Sequence, residues 1–450
     1  MMTPDLDILL SAVDPAVVGA RIRAARETAA LTAGELCRAT GVDEAALADL
    51  EDGRRPLAPA FVTAVADHTD TTVEMLATGL SRDVLTVLQG ELDHARLALS
   101  GQHSSDACAV ADRVLEQLQS ARATAPHLER DARRLRATAL EAVGDLASAI
   151  TDLHALTLVP RQDPQWIKDL ISLSRCYRES GELDQAIAVG EEAEQTIREL
   201  GLDDLTEAIQ LMVTVTAAYI FRSATGDIGH ATRMCMRAAD LADRHGLPVA
   251  KASALWNASL AKYVGGDVVA SLSLGLQALA LFGEQGDLRN LGVLRMQTGN
   301  AYLAQDPPDA VAALEMLTLA GTELTMAGAS AVEVARHRQI LARAHLELGD
   351  TDAARDALAE SDALTPDDAV ELRAWHFTLL ATLAARQGDF EDTYAHLEQA
   401  VLMLTACGAD GDAAQVWFRV ASVFADLDEL ELAADAYRRA AVSQGLRPRS

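Results

Sequence analysis

The sequence predicts an all-α protein, with a small bundle of short helices at the N-terminus and a long row of helix pairs after it. One observation is a phrase of a turn glycine, an acid and, four residues after the acid, a small residue, which returns about every 40 residues, a period typical of helical repeats. Composition agrees: 50% of the residues are hydrophobic but only 4% are aromatic, and strand-like alternation is absent after Leu80. These observations favour helices packed closely on helices.

The N-terminal bundle is predicted over residues 16–79, after a tail at residues 1–15. Its apolar spacing indicates five short helices. Thr32 is a predicted N-cap with Glu35 at the third helical position, which is a capping box. Gly41 then turns the chain before the next short helix. Two short helices joined by a glycine-containing turn are the plan of a helix-turn-helix.

This stretch resembles the DNA-binding domain of phage-repressor-like (XRE or Cro-type) regulators. The residues that carry the resemblance are Arg21-Ile22-Arg23-Ala24-Ala25-Arg26-Glu27, Leu31-Thr32, Glu35-Leu36, Gly41-Val42, and Leu47 with Leu50-Glu51-Asp52-Gly53-Arg54-Arg55-Pro56. The resemblance implies that DNA is a partner. The side chains predicted to hold its backbone are Arg21, Arg23, Arg38, Arg54 and Arg55, with Arg26 beside them.

The predicted recognition helix is unusually acidic for such a domain. It reads Asp43-Glu44-Ala45-Ala46-Leu47-Ala48-Asp49-Leu50-Glu51-Asp52, without the Ser, Thr, Arg, Gln or Asn that read base edges. Phosphate groups repel such a helix. The alternative is therefore that Arg21 to Arg26 form a solvated helix face and that Glu51 pairs with a nearby arginine.

The repeated phrase organises the rest of the chain, residues 80–445. It occurs at Gly144-Asp145 with Ala149, Gly181-Glu182 with Ala186, Gly226-Asp227 with Ala231, Gly266-Asp267 with Ser271, Gly349-Asp350 with Ala354 and Gly388-Asp389 with Thr393, in degenerate form at Gln305-Asp306 with Ala310 and Asp428-Glu429 with Ala433, and faintly at Gly101. Each copy marks the turn of one helix pair. We therefore expect about nine pairs, followed by a basic tail at 446–450.

These units resemble tetratricopeptide (TPR) repeats, in which large and small residues precede the glycine turn and two alanines seven apart follow it. Leu173 and Tyr177 precede Gly181 in this way, and Ala186 and Ala193 follow it. The resemblance implies a right-handed solenoid whose groove is lined by the first helix of each pair.

Counting back from each turn predicts the side chains that line this groove. They are Lys168, Arg175, Arg178, Tyr219, Arg222, Asn257, Gln297, Asn300, Gln339 and Arg343, together with Arg134, Ser172, Thr216 and Arg419. The set is basic and amide-rich in a chain with 67 acids and 38 bases. Arginine suits carboxylates and amides suit a peptide backbone, which favours an extended peptide ligand, including one with a free carboxylate. The alternative is that some of these arginines pair with acids on neighbouring helices.

Other classes of protein receive no support from the sequence. The formal net charge of −29 argues against indiscriminate binding to nucleic acid or to an anionic membrane. The five cysteines lack metal-ligand spacing, which favours reduced thiols, and the sequence offers no signal peptide or membrane span, so we expect a cytoplasmic protein. No catalytic or phosphate-binding motif occurs. We therefore expect no enzyme activity, no cofactor and no metal.

A helix-turn-helix followed by TPR repeats is similar to the peptide-responsive bacterial transcription regulators. The resemblance implies a homodimer, contacts with two DNA half-sites, and an effector peptide in the groove that re-aims the DNA-binding domains. The runner-up is an adaptor whose acidic recognition helix no longer reads DNA and docks a basic partner protein instead.

Overall fold

The structure, a computed structural model, describes residues 6–11, 13–101, 103–223, 226–283, 288–367, 369–407 and 411–446. Within these ranges all regular structure is helical, which confirms the predicted all-α fold. The helices are α1 (Leu6–Ser11), α2 (Pro15–Thr28), α3 (Ala33–Thr40), α4 (Glu44–Glu51), α5 (Pro59–His68), α6 (Val73–Thr78), α7 (Arg82–Ser100), α8 (Ser104–Ser120), α9 (Pro126–Val143), α10 (Leu146–Thr157), α11 (Pro164–Glu179), α12 (Leu183–Glu199), α13 (Thr206–Arg222), α14 (Asp227–Arg244), α15 (Pro248–Val264), α16 (Val268–Phe282), α17 (Leu288–Tyr302), α18 (Ala310–Met326), α19 (Ala331–Leu348), α20 (Thr351–Leu364), α21 (Val370–Gln387), α22 (Phe390–Cys407), α23 (Gly411–Asp426) and α24 (Leu430–Ser443).

The chain divides into two compact units after Arg161. Helices α1–α10 belong to the first unit and α11–α24 to the second. The first two predicted helix pairs therefore group with the N-terminal bundle, and the boundary predicted at residue 79 stays a prediction. Most of the predicted basic tail, residues 447–450, lies outside the described residues.

The N-terminal bundle has the five predicted helices, α2–α6, around a core of Ile22, Leu36 and Val62, which are all fully buried. A helix occupies part of the predicted tail: α1 packs on α5 and adds the buried Leu10 to this core. Gly19 lets α2 approach α4 closely, because a Cβ there would lie 2.5 Å from the Leu50 carbonyl oxygen.

Helices α7–α24 form nine consecutive pairs, as predicted from the repeated phrase. The turn glycine ends the first helix in the left-handed conformation, as at Gly349 with a φ of 79°. The acid that follows caps the second helix: the Asp350 side chain accepts a hydrogen bond from the amide of Ala353 at 3.1 Å. The phrase therefore encodes the end of one helix and the start of the next.

The small residue of each phrase lies where the two helices of a pair meet. Ala149, Ala186, Ala231, Ala354 and Thr393 have no exposed surface. A larger side chain there would force the helices apart, because protein interiors are close-packed. In the second unit each first helix also contacts the first helix of the next pair, from α11 through α13, α15, α17, α19 and α21 to α23. This row of first helices carries most of the predicted groove residues.

Candidate functional site

The turn between α3 and α4 is built from local capping bonds. The Glu35 carboxylate accepts from the Thr32 amide at 2.8 Å and the Thr32 hydroxyl accepts from the Glu35 amide at 3.3 Å, which is the predicted capping box. Gly41 ends α3 with a φ of 74°, and the Asp43 side chain accepts from the amide of Ala46 at 2.7 Å. These bonds fix the geometry of the helix-turn-helix.

The solvent-facing surface of α4 offers carboxylates and methyl groups. Glu44, Ala45 and Ala48 are exposed, as is Asp43 at the cap, while Leu47 faces the core. Carboxylates are repelled by phosphate and accept hydrogen bonds from base amino groups only. Any grip on a DNA backbone must therefore come from residues that flank α4.

Glu51 joins α4 to α2 through two arginines of the predicted DNA-binding face. The carboxylate is 6% exposed and accepts from Arg26 Nε at 2.7 Å and from Arg23 Nε at 3.1 Å. Burial alone would raise the pKa of Glu51, but the bonds from Arg26 and Arg23 outweigh it, and this pKa is lowered. Arg23 and Arg26 therefore agree with the alternative interpretation, in which Glu51 pairs with nearby arginines.

Arg21 lies against the connection between α8 and α9. Its Nη1 donates to the Ala77 carbonyl at 3.0 Å and to the Thr124 hydroxyl at 2.8 Å, and its Nη2 donates to the Arg122 carbonyl at 3.1 Å. Burial lowers the pKa of Arg21. This guanidinium is engaged inside the first unit, where it holds α2, the end of α6 and the residues before α9 together.

Arg38, Arg54 and Arg55 are the exposed members of the predicted DNA-binding set. Arg38 Nε donates to the carbonyl of Gly34 on its own helix. Arg54 pairs with two acids next to it, Asp49 at 2.9 Å and Asp52 at 2.7 Å. Within the described ranges, Arg55 has no ion-pair partner. The basic surface next to α4 is thus reduced to these three residues.

In the second unit, the predicted asparagines join neighbouring first helices. Asn257 Nδ2 on α15 donates to the Val213 carbonyl on α13 at 2.7 Å. Asn300 Nδ2 on α17 donates to the Tyr263 hydroxyl on α15 at 2.9 Å. Both side chains are only half-buried, so they bind their neighbours and still border solvent.

The predicted glutamines also connect first helices. Gln297 accepts a hydrogen bond from the indole Nε1 of Trp256, which links α17 to α15. Gln339 is fully buried and its Nε2 donates to the Leu372 carbonyl on α21 at 3.0 Å. Gln339 therefore lies in the interface between α19 and α21, where it has no contact with solvent.

Arg222 and Tyr219, both on α13, are held by acids of the second helices. Arg222 donates to both carboxylate oxygens of Asp227, at 2.8 and 2.9 Å, and to Asp184 at 2.6 Å. The Tyr219 hydroxyl donates to Glu191, and burial together with this bond raises the pKa of Tyr219 to about 12. Arg222 therefore agrees with the alternative interpretation of the groove residues, in which an arginine pairs with acids on neighbouring helices.

The predicted residues of α11 are also engaged. Lys168 Nζ lies 3.4 Å from a carboxylate oxygen of Glu207 on α13. Arg178 lies 3.6 Å from Glu179 and 5.9 Å from the centre of the Phe221 ring. The neighbouring Arg175 is half-buried. These contacts stabilise the packing of α11 on α13. They also reduce the positive charge that this end of the unit offers to a ligand.

Arg343 on α19 belongs to a cluster near the other end of the row. Its Nη1 donates to the Asn300 amide oxygen at 3.1 Å and its Nη2 to the Leu303 carbonyl at 2.6 Å. Its Nε is buried without a hydrogen-bond partner. Burial lowers the pKa of Arg343, because the charged form is desolvated there.

Arg386 on α21 and Arg419 on α23 share the carboxylate of Glu347 on α19. Arg386 Nη2 lies 3.1 Å from one carboxylate oxygen, and Arg419 Nη2 lies 3.8 Å from the other. Burial, and then the positive charges of Arg343 and Arg386, lower the pKa of Arg419 to about 10. Three guanidiniums and one carboxylate therefore meet where α19, α21 and α23 lie side by side.

Counting back from the turns found Arg343 and Arg419 but missed Arg386 and Glu347. A signal for both was present, because each stands two residues before its turn glycine, at equivalent positions of consecutive repeats. Equivalent positions on first helices that pack on each other become neighbours. Arg343 and Glu347 are also one helical turn apart on α19.

Within the described residues, no group of three or more His, Cys, Asp or Glu side chains could hold a metal ion. No helix in those ranges is long and apolar enough to cross a membrane. Cys37, Cys108, Cys176 and Cys235 form no disulfide.

Residues 17–78 match the family described as "Helix-turn-helix domain", which agrees with the bundle of α2–α6. No curated protein matches the chain.

Solved structures with a similar fold cover most of the chain. The apo form of RapI has a TM-score of 0.55 at 14% identity, and covers 80% of this chain and 98% of its own. A Rap protein complexed with Competence and Sporulation Factor has a TM-score of 0.54 at 13% identity, with coverages of 80% and 98%. The apo form of the quorum sensor NprR from B. thuringiensis has a TM-score of 0.51 at 14% identity, with coverages of 80% and 99%. The chain therefore combines a helix-turn-helix domain with a TPR-like solenoid of the fold found in Rap proteins and NprR.

Proposed function

We propose that this protein is a transcription regulator that binds DNA through the domain at residues 17–78 and is controlled by a peptide or protein ligand bound along the first helices of the solenoid. The observation that carries the proposal is that one chain contains both a helix-turn-helix domain and a TPR-like solenoid. A Rap protein of this fold was solved with Competence and Sporulation Factor, and NprR is described as a quorum sensor.

Arg38, Arg54 and Arg55 are the proposed contacts to the DNA backbone. They are exposed and flank the helix-turn-helix, where phosphates would pass. Arg21 and Arg23 contribute less directly, since their hydrogen bonds hold α2 against its neighbours. The acids of α4 then limit affinity, and binding is strongest at low salt.

The ligand controls DNA binding by changing the relative populations of two conformations of the protein. A peptide that binds one arrangement of the first helices more tightly than another favours that arrangement, and the preference sets which DNA-binding state is occupied. A homodimer with two DNA half-sites completes the proposal.

A second candidate is an adaptor that does not bind DNA. It is favoured by the exposed face of α4, where Asp43 and Glu44 stand beside Ala45 and Ala48. Such a face suits a basic surface on another protein better than a phosphate backbone.

A mobility-shift assay with the full-length protein and fragments of its own genome, in low-salt buffer, separates the two candidates. The regulator shifts a subset of fragments, and an extract containing the host's peptides changes the extent of the shift. If no fragment shifts with or without the extract, the adaptor is favoured.

A further inference from the structure

The cluster of Arg343, Glu347, Arg386 and Arg419 has an excess of positive charge. Three guanidiniums face one carboxylate, although the whole chain carries a formal charge of −29. The predicted basic residues Arg222 and Lys168, in contrast, each have a carboxylate of their own within 4 Å, whereas Arg386 and Arg419 share that of Glu347. The excess positive charge at this cluster is costly to bury unless an anion compensates it.

Arg419 is the least satisfied member. Among the described residues its guanidinium has no hydrogen-bond partner, and the nearby Oε1 of Glu347 is 3.8 Å from Nη2, beyond hydrogen-bond distance. Its Nε is buried, and so is the unpaired Nε of Arg343. Two half-buried arginines therefore each hold a buried Nε–H donor that the protein itself does not use.

The cluster is partly exposed to solvent and is therefore accessible to a ligand. The side chain of Arg386 is 37% exposed, that of Arg419 is 24% exposed and that of Glu347 is 22% exposed. Tyr263 and Asn300 extend the polar surface across α15 and α17, since Asn300 bonds to both Tyr263 and Arg343. A ligand lying across the first helices meets these groups in succession.

We infer that Arg343, Arg386 and Arg419 form a subsite for a carboxylate of the peptide ligand. Resting on the proposed function, this inference names the group by which the ligand is held. Glu347 already places one carboxylate at this position, with one oxygen 3.1 Å from Arg386 Nη2 and the other 3.8 Å from Arg419 Nη2. A planar carboxylate matches the arginine fork. The negative charge of Glu347 favours a singly charged group over a phosphate dianion.

Affinity selection on the immobilised full-length protein tests the subsite. The probes are a pool of random hexapeptides with free C-terminal carboxylates and the same pool with C-terminal amides, and retained peptides are identified by mass spectrometry. We expect the wild type to retain the free-acid pool about tenfold more than the amidated pool, because the amide removes the charge. Retention from the amidated pool that is confined to peptides with Asp or Glu also supports the subsite and identifies a side-chain carboxylate as the bound group.

Arg419→Gln is the informative variant, with Arg419→Lys as a variant that keeps the charge and loses the fork. Arg355→Gln on α20 is the matched control, because Arg355 is exposed and pairs with Asp352 on its own helix. Thermal unfolding and circular dichroism verify that each variant is folded. Arg419→Gln is expected to lose the preference for free acids, and Arg355→Gln to keep it.

The outcomes separate this inference from the proposed function. Equal retention of both pools without selection for acidic side chains, or an unchanged preference in folded Arg419→Gln, overturns the subsite and leaves a peptide-binding solenoid. Failure of the wild type to retain any peptide from either pool overturns the peptide ligand itself, and the subsite with it.

Discussion

Arg21 Nη1 donates a hydrogen bond of 2.8 Å to the hydroxyl of Thr124, which lies between α8 and α9 and 103 residues further along the chain. Thr124 also bonds to the end of α6, since its amide donates to the Thr78 carbonyl at 2.8 Å. One arginine of the helix-turn-helix domain is thus a structural link to the first helix pair of the same unit.

Arg21→Gln is expected to destabilise the first unit by about 2 kcal/mol, because the bonds of a charged donor to the carbonyls of Ala77 and Arg122 are lost. Urea unfolding measures the loss, and amide hydrogen exchange at residues 122–125 is expected to become faster. Arg113→Gln is the matched control, since exposed Arg113 bonds to Ala109 of its own helix. Equal behaviour of the two variants would remove the link between the domain and the helix pair.

Glu51→Gln tests the ion pairs between α2 and α4. It leaves Arg23 and Arg26 without their shared carboxylate and is expected to cost about 2 kcal/mol of unfolding free energy, less than a fully buried pair because Arg23 is partly exposed. Glu44→Gln, on the exposed face of α4, is expected to change stability little. If the Glu51→Gln protein were as stable as the Glu44→Gln protein, the ion pairs of Glu51 would not stabilise the packing of α2 on α4.

Arg55 and Arg54 are expected to differ in their effect on DNA binding. Arg54 must leave Asp49 and Asp52 to reach a phosphate, whereas Arg55 is not held by an acid in the described part of the chain. Arg55→Glu is therefore expected to weaken binding at low salt by about tenfold, and more than Arg54→Glu does. The mobility shift of Arg438→Glu on α24 controls for the change in net charge. A larger loss with Arg54→Glu would reverse the assignment of the phosphate contact.

The stability of the protein is expected to fall as the pH drops through the ordinary histidine pKa of about 6.5. Burial lowers the pKa of His337, which faces Arg338 and Glu360, and of His376. Below pH 6.5 the unfolded chain then binds more protons than the folded one, so acid favours unfolding.

Urea midpoints measured above and below this pKa test the histidine effect. His376→Phe is the informative variant, because the buried Nδ1 of His376 has no hydrogen-bond partner and a phenyl ring fills similar space. The groups around His376 are Asp362, His396 and Arg373. The variant is expected to lose less stability on acidification than the wild type. Parallel pH curves for the two proteins would exclude His376 as a source of the acid sensitivity.

The sequence predicts the solenoid well because its signals are local. A glycine such as Gly388 ends a helix through its own backbone conformation, the acid after it caps the next helix, and a small residue four places further, such as Thr393, lies in the pair interface. The first two features depend on neighbours within one turn of helix, and the third depends on the helix at the other end of the same short turn, so a local pattern of residues records all three.

The content of the groove is less predictable, because it depends on which acids the packing brings to each arginine. Arg222 is held by Asp184, 38 residues earlier, and Glu347 on α19 pairs with Arg386 on α21, 39 residues later. Counting positions along one helix identifies the face on which a side chain lies, but it does not identify partners contributed by other helices. This is why a long basic lining was predicted, whereas in the described part of the chain Arg222 and Lys168 are paired with acids and Arg386 and Arg419 share one carboxylate.

Sequencing of the DNA fragments that cross-link to the protein in its own cells tests regulation by DNA binding most directly. We expect discrete enriched sites that share a sequence motif for the wild type, and their loss in a folded Arg38→Glu/Arg55→Glu double variant. Absence of enriched sites for the wild type, or the same sites for the double variant, would contradict regulation by DNA binding.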